Sequence, residues 1–368
     1  MVIECLNEMF AKLEDPRSLR NQKHPFLSVI SIALLASIAG ITSFSGMGDF
    51  AECHEDELKG LFPLPHGAPR HDTFQRIFES IDPTAFIKCF MLFSQHLSEA
   101  IKGLTSIDGK TIRNSGKKGS PLHIVSAWCE ENRLVLGHVK AEKTAGSELG
   151  AIKELLSLLD LQGRIITIDA LGCQREISAQ ITEKEADYVL ALKRNQKSLY
   201  DDVSLYFQDT DKLDGTSWKE VDKGHGRIEK RECWALPVDN WLLAEHAWPG
   251  IKSIAMVKST RIMKDKESHD TRFYISSLSP DAEMICKIAR RHWGIENKLH
   301  WVLDVIFNED KACIRNDNAA ENVDILRKWA LNVINIQRKE NVSIKSIQRK
   351  SAMSFKYLKQ LLLNTFHA

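Results

Sequence analysis

Across residues 70–100, apolar side chains recur every three or four positions, at Phe74, Ile77 and Phe78 and again at Phe86, Phe90 and Phe93. That period is the signature of one buried helical face. Asp72 and Asp82 stand where N-caps belong, and Pro83 stands at a first helical position. Residues 1–100 are therefore read as helical. Within them, FLSVISIALLASIAGITSF (26–44) carries no charge and is preceded by Arg17, Arg20 and Lys23. About twenty apolar residues suffice to span a bilayer. Ser28, Ser31, Ser37, Thr42 and Ser43 dilute the run, no small-residue cleavage site follows, and there is no second span. The reading is a buried helix and no membrane, with a signal anchor as the alternative.

The period shortens at Leu104. LTSIDGKTIR, HIVSAWCE and RLVLGHVKAEK are three β-rich runs, the last two separated by a turn near Glu131–Asn132. SELGAIKELLSLLDL (147–161) predicts an amphipathic helix capped by Ser147. GRIITIDALG then predicts a strand, residues 174–185 a helix, and ADYVLALKR (186–194) another strand. The order β-β-β-α-β-α-β implies an α/β fold with a mixed sheet: a hairpin-built edge continued by parallel strands with crossover helices. Residues from 195 to about 280 form short β-like runs divided by glycines and charges, read as a β-rich insertion. Helix returns over 281–307 and near 319–338. The tail from Arg338 carries seven Lys and Arg against Glu340 alone. Three units follow: a helical region 1–100, an α/β region 101–340 and a basic tail 341–368.

Composition narrows this only slightly. The 368 residues leave room for two or three domains, and 50 basic against 49 acidic residues give a net charge of +1. Nucleic-acid binding would thus rest on local patches, not on a bulk field. Eight cysteines are scattered without a CxxC pair. That argues against a zinc ribbon or a disulfide scaffold and suits a reducing cytoplasm.

Two predicted strands each run into a carboxylate, Asp108 in SIDGKT and Asp169 in TIDALG. Side by side in a sheet, such strands lie about 4.8 Å apart. Carboxylates that close repel each other unless a cation intervenes, and hard oxygen ligands suit Mg²⁺ or Mn²⁺. Glu296 is a third candidate. His292, Glu296 and His300 are spaced by four and share one helical stripe, which faces either solvent or a site. A zinc-protease HExxH is excluded, because Ile295 stands where a His is needed. Taken singly, Asp169 is equally a strand-end helix cap and Asp108 a turn residue before Gly109. Lys110, Arg113, Lys193, Arg194, Lys197, Arg290, Arg291, Lys298 and Arg315 flank these motifs as candidate phosphate contacts, or form a solvated charged surface.

The segments SIDGKTIRNS, TIDALGCQ, ADYVLALKRNQ, GHGRIEKR, RRHWGIENKLHWVLDVIFNED and NAAENVDILRKWALNVI occur in that order. With DPRSLRNQKHPFLSVISIALLASIAGITSFSGMGDFAE before them, the chain resembles the DDE transposases of insertion sequences, specifically the H-repeat-associated subgroup, over nearly its whole length. The resemblance implies an RNase H-like core with a β-rich insertion before the Glu, and an acidic triad at Asp108, Asp169 and Glu296. It implies DNA strand cleavage and 3′-OH strand transfer, with the triad holding two divalent ions. Double-stranded DNA would be the partner, gripped also by His292 and His300, with self-association of the protein on DNA. A Tyr, an Arg and a Lys typical of the broader group are replaced here by Ala289, His292 and Leu303. The subgroup's Arg-x-His-Trp form is kept at Arg290, His292 and Trp293. Trp293 or Trp301 would stack on an extruded base or pack in the core. APRHDTFQRIF would place Arg70 and Arg76 on a recognition helix, or be purely structural. A cut-only nuclease and a non-catalytic DNA-binding relic are the rival readings.

Overall fold

The computed structural model describes the chain apart from residues 1, 19–21, 99–102, 117–119, 143, 145, 209–213, 225, 265 and 366–368. Arg20, Lys143, His225 and the expected 100/101 boundary lie outside the described residues. Helices α1 (Val2–Phe10), α2 (Phe26–Ile38), α3 (Phe44–Cys53), α4 (Glu55–Lys59), α5 (His71–Ser80) and α6 (Pro83–Ser98) precede the first strand. Asp82 caps α6, its Oδ1 accepting from Thr84 N at 3.1 Å. Asp72 falls one residue inside α5, whose N-cap is Arg70.

The sheet begins with β1 (Leu104–Ile112), β2 (Leu122–Cys129) and β3 (Leu134–Ala141), an antiparallel meander. Then come α7 (Ser147–Leu158), β4 (Ile165–Ile168), α8 (Arg175–Glu183) and β5 (Asp187–Leu192). The N-cap of α7 is Gly146, at φ +80°, so Ser147 opens the helix without capping it. β4 pairs in parallel with both β1 and β5. Next are α9 (Lys197–Tyr206), β6 (Thr216–Gly224), β7 (Arg227–Pro237), α10 (Asn240–His246), β8 (Ser253–Met263) and β9 (Lys266–Ser276). One nine-stranded sheet results, in the order β3-β2-β1-β4-β5-β9-β8-β7-β6. The expected β-rich insertion is present, and it extends the core sheet through an antiparallel β5–β9 junction.

The helix expected over 281–307 is broken into α11 (Ala282–His292), a π-helical turn (Ile295–His300) and α12 (Trp301–Val305). After a 3-10 turn (Glu309–Lys311) come α13 (Asp317–Gln337), α14 (Ile344–Met353) and α15 (Phe355–Thr365). α2 is apolar all round, a pattern that only burial satisfies, and residues 28–38 are all buried. No helix among the described residues is long and apolar enough to cross a membrane. α13 packs against α2, α5, α6, α15 and β3. Residues 319–335 of α13 are accordingly buried on every face. Trp329 stacks among Phe10, Phe86, Phe90 and Phe93, with ring centroids 5.0 to 5.8 Å away. One apolar core therefore runs through the helical region, the sheet and the tail, where Ile344, Ile347, Leu358, Leu361 and Leu362 join it.

Candidate active site

β1 and β4 run parallel with Ile107 beside Ile168, so Asp108 and Asp169 follow at adjacent positions. β4 ends there, and the Asp169 carboxylate caps the next turn, accepting from Leu171 N at 3.0 Å. Asp108 does not end its strand. β1 continues to Ile112, and Asp108 lies in register with Ser126 of β2. The loop after Asp169 is propped by residues following β5: Asn195 Nδ2 donates to Ala170 O at 2.6 Å, and Gln196 Nε2 donates to Cys173 O at 3.1 Å. Sequence reasoning did not single out these two amides, although their place just past a strand adjoining β4 was the available signal.

Glu296 lies in the π-helical turn, and this turn packs on β1. Such turns are rare and frequent at functional sites. Burial first, then the negative charges of Asp169 and Glu296, push the Asp108 carboxyl up to about 7. Asp169 and Glu296 are thus each within electrostatic reach of Asp108. Partial burial raises the Glu296 carboxyl, while Arg272 pulls it down. Glu148, at the start of α7, adds a fourth negative charge near Asp108. His123 holds Glu148, Nε2 to Oε2 at 3.0 Å, and the pair fills the space where a side chain on Gly109 would sit. Among the described residues no three carboxylate, imidazole or thiolate groups converge on a point that one ion could occupy. An all-oxygen donor set with an uncompensated charge matches Mg²⁺ or Mn²⁺ chemistry.

The expected His292–Glu296–His300 stripe is divided: His300 is buried, His292 half-buried and Glu296 exposed. His292 Nδ1 and Thr167 Oγ1 of β4 share a hydrogen bond at 2.9 Å, and His300 Nδ1 stands 3.6 Å from Asp108 Oδ2. Burial, aided by Arg272, lowers His292 to about 4. Burial, aided by Lys110 and Lys328, lowers His300 to about 3. Both rings are neutral at physiological pH, so neither is placed to grip phosphate by charge. Lys110 is likewise turned to internal use, its ammonium donating to Asp304 Oδ1 at 2.5 Å and to Glu309. These three placements depart from the expected DNA contacts, because the two rings and the ammonium are turned toward neighbouring groups of the protein.

The remaining candidates are on the surface. Arg113, Lys193, Arg194, Lys197, Arg291, Lys298 and Arg315 are exposed, and Arg290 is half-buried. Two of them are latched to the β2–β3 turn, Arg291 to Glu131 at 2.6 Å and Lys298 to Glu130. Beside the Glu296 turn, β7, β8, β9 and α11 enclose a cleft of about 480 Å³ that reaches Glu296. Five arginines line it, Arg227, Arg231, Arg261, Arg272 and Arg290. Glu229 pairs with Arg227 at 2.8 Å and Arg261 at 3.2 Å. The Arg272 guanidinium stands 4.8 Å above the Trp293 ring. Four of these arginines were missed in the sequence. Arg227, Glu229 and Arg231 do alternate there, which is a one-faced strand pattern. Only the fold aims that face at Glu296. Trp293 is half-buried on the cleft wall and Trp301 is exposed.

A core of order β3-β2-β1-β4-β5, with acids on its adjacent central strands and on a later helix, defines the RNase H-like class. Within that class, the chain belongs to the DDE transposase family: residues 99–333 match the transposase DDE domain, and residues 7–94 match the DDE_Tnp_1-associated domain. It is 38% identical to "Putative transposase YncI" of Escherichia coli O157:H7 over 344 residues, covering 91% of this chain and 88% of that one. It is 34% identical to "H repeat-associated putative transposase YhhI" of Escherichia coli strain K12 over 346 residues, 91% of each. An "Uncharacterized protein in dhlA 3'region" of Xanthobacter autotrophicus is 38% identical over 278 residues, 74% of this chain and 94% of that protein. Transposase DDE domains act on DNA and generally use divalent metal ions.

Proposed function

We propose that this protein is an active DNA transposase that cleaves element ends and joins the freed 3′-OH to target DNA, in the cytoplasm where that DNA resides. Asp108, Asp169 and Glu296 would hold two divalent ions, Mg²⁺ or Mn²⁺. When bound, the ions supply an activated oxygen nucleophile and stabilise the leaving oxygen of an in-line phosphoryl transfer. The protein's part is to orient the carboxylates and to seat the DNA. The β1–β4 pairing sets the two aspartates, and the amides of Asn195 and Gln196 brace the Asp169 loop. Arg113, Lys193, Arg194, Arg290, Arg291, Lys298 and Arg315 would contact phosphates, and the arginine-lined cleft would guide one strand to Glu296. Two DNA ends must be cut together for an element to move, so the protein would self-associate on DNA.

The observation that carries this reading is the crowding of acids where parallel β1 and β4 set Asp108 beside Asp169 and the Glu296 turn packs on β1, a crowding that also raises the Asp108 carboxyl. A purely structural cluster gains nothing from such crowding, whereas a cation site requires it. The spread of the acids instead favours a second reading, a relic that binds DNA without cutting it. One experiment separates the two. The protein is incubated with Mn²⁺ and duplexes ending in the element's terminal sequence, and cleavage and joined products are resolved on denaturing gels. Joined products that vanish in Asp169→Ala support the transposase. Cleavage without joining indicates a nuclease, and DNA binding with neither indicates the relic.

A further inference from the structure

Side chains alternate across a strand, so Lys110 lies on the same face of β1 as Asp108, one pleat further on. Its ammonium is taken by Asp304 in α12 and by Glu309 in the following 3-10 turn. Both acceptors belong to the stretch that continues directly from Glu296. Lys110 keeps 13% of its side-chain surface in water and Glu309 keeps none. Arg327 Nη1 of α13 stands 3.9 Å behind Glu309 Oε1. Backbone bonds repeat the tie just beyond: Arg113 N donates to Asp310 Oδ1 at 3.0 Å, Asn114 Nδ2 to Asp310 O at 2.8 Å, and Gly116 N to Ile314 O at 3.0 Å.

We propose that Lys110 is a positioning residue whose pairing with Asp304 and Glu309 sets the separation between the Asp108 strand and the Glu296 turn. The inference rests on the proposed cation site. An ammonium held by two carboxylates in a nearly dry place has little left to offer a phosphate. Removing it leaves Asp304 without its cation and the fully buried Glu309 with Arg327 alone, and the repulsion of the two carboxylates drives the segment after Glu296 away from β1. Asp169 is held independently through the β1–β4 pairing, so the disturbance falls on the Asp108–Glu296 spacing.

The full-length protein, Lys110→Met, Lys110→Arg and a distant core control, Ile347→Ala, are compared in two measurements. The first titrates Mn²⁺ against thermal unfolding without DNA. The second measures metal-free binding of a duplex across a salt series. Loss of a residue that braces metal ligands typically weakens metal binding about 10- to 100-fold. A shift of that size in the Mn²⁺ midpoint is expected for Lys110→Met, partly restored in Lys110→Arg. Ile347→Ala lowers the melting temperature and leaves the midpoint in place. DNA affinity and its salt slope stay as in the unmodified protein. Should Lys110→Met fail to fold, Asp304→Asn, at a half-buried acceptor, is expected to shift the midpoint in the same direction. An unmoved midpoint in the folded variants overturns the proposal, as does a salt slope reduced by about 0.9, the mark of a lost phosphate contact. If the unmodified protein binds no Mn²⁺, the proposed function falls and this inference with it, a result distinct from binding that the variants leave intact.

Discussion

Replacing Asp108 by asparagine should stabilise the metal-free protein above neutral pH while abolishing its chemistry. The Asp108 carboxyl rises from the ordinary 3.8 to about 7 in the folded state. Below pH 3.8 the group is protonated whether folded or unfolded, and it contributes no pH-dependent penalty. Between about 4 and 7 the unfolded chain ionises while the folded one resists, so stability is lost as pH rises through that window. Above 7 the loss is complete. At about 1.36 kcal/mol per pKa unit, the ceiling on that loss is about 4 kcal/mol. The side chain keeps 22% of its surface in water, and solvent screening brings the expected value to about 2 kcal/mol. In a chain of 368 residues that corresponds to about 3 °C in melting temperature. Calorimetric melting of both proteins without metal, at pH 4 and pH 8, tests this. Asp108→Asn should melt higher at pH 8 and level with the unmodified protein at pH 4. Addition of Mn²⁺ at pH 8 should raise the unmodified protein and close the gap, because a ligand bound only to the folded state stabilises it. A variant that melts lower at pH 8, or a difference independent of pH, would refute the charge-crowding argument.

Glu296→Gln should leave DNA binding intact and cut the rate of strand cleavage about a thousandfold, the scale of several kcal/mol of lost transition-state stabilisation, in single-turnover cleavage assays. The triple substitution of Arg227, Arg261 and Arg272 by Gln should lower the salt slope of DNA binding by up to about three in fluorescence titrations, if each contacts one phosphate. Trp329→Ala should cost about 3–5 kcal/mol in denaturant unfolding, because four phenylalanine rings surround the indole and cannot all collapse into the space. An unchanged slope or a loss below 1 kcal/mol would contradict the cleft and core assignments respectively.

Much of the architecture was legible in the chain. The β-β-β-α-β-α-β order, the turn near Glu131 and the helices over 71–98 follow from local periodicity, and each stands within a few residues of its expected place. The buried-helix reading of 26–44 held over Phe26–Ile38, because a helix apolar on all sides has no other stable setting in a folded core, while 40–44 turn out of the helix and are half-buried or exposed. The triad depended on the family resemblance, since spacing alone leaves each acid equally a cap, a turn or a solvated face. α13 shows the limit of pattern reading. Lys328, Asp324, Arg327 and Asn332 look solvated in sequence, yet all are buried. Lys328 Nζ donates to Ser126 Oγ at 3.1 Å and to His138 Nδ1 at 2.8 Å, partners about 200 positions away. The π-helical turn at Glu296, which packs on β1, was equally invisible.

The sequence by itself determined the secondary elements, their order and the chemical kinds of side chain available, because propensity, capping and apolar period act over a few residues. Tertiary structure alone decided that the insertion continues the core sheet, that five arginines face Glu296, and that Lys110 serves the protein interior. Those outcomes turn on strand register and on charges meeting partners distant in the chain, where burial makes an unpaired ion too costly to leave alone.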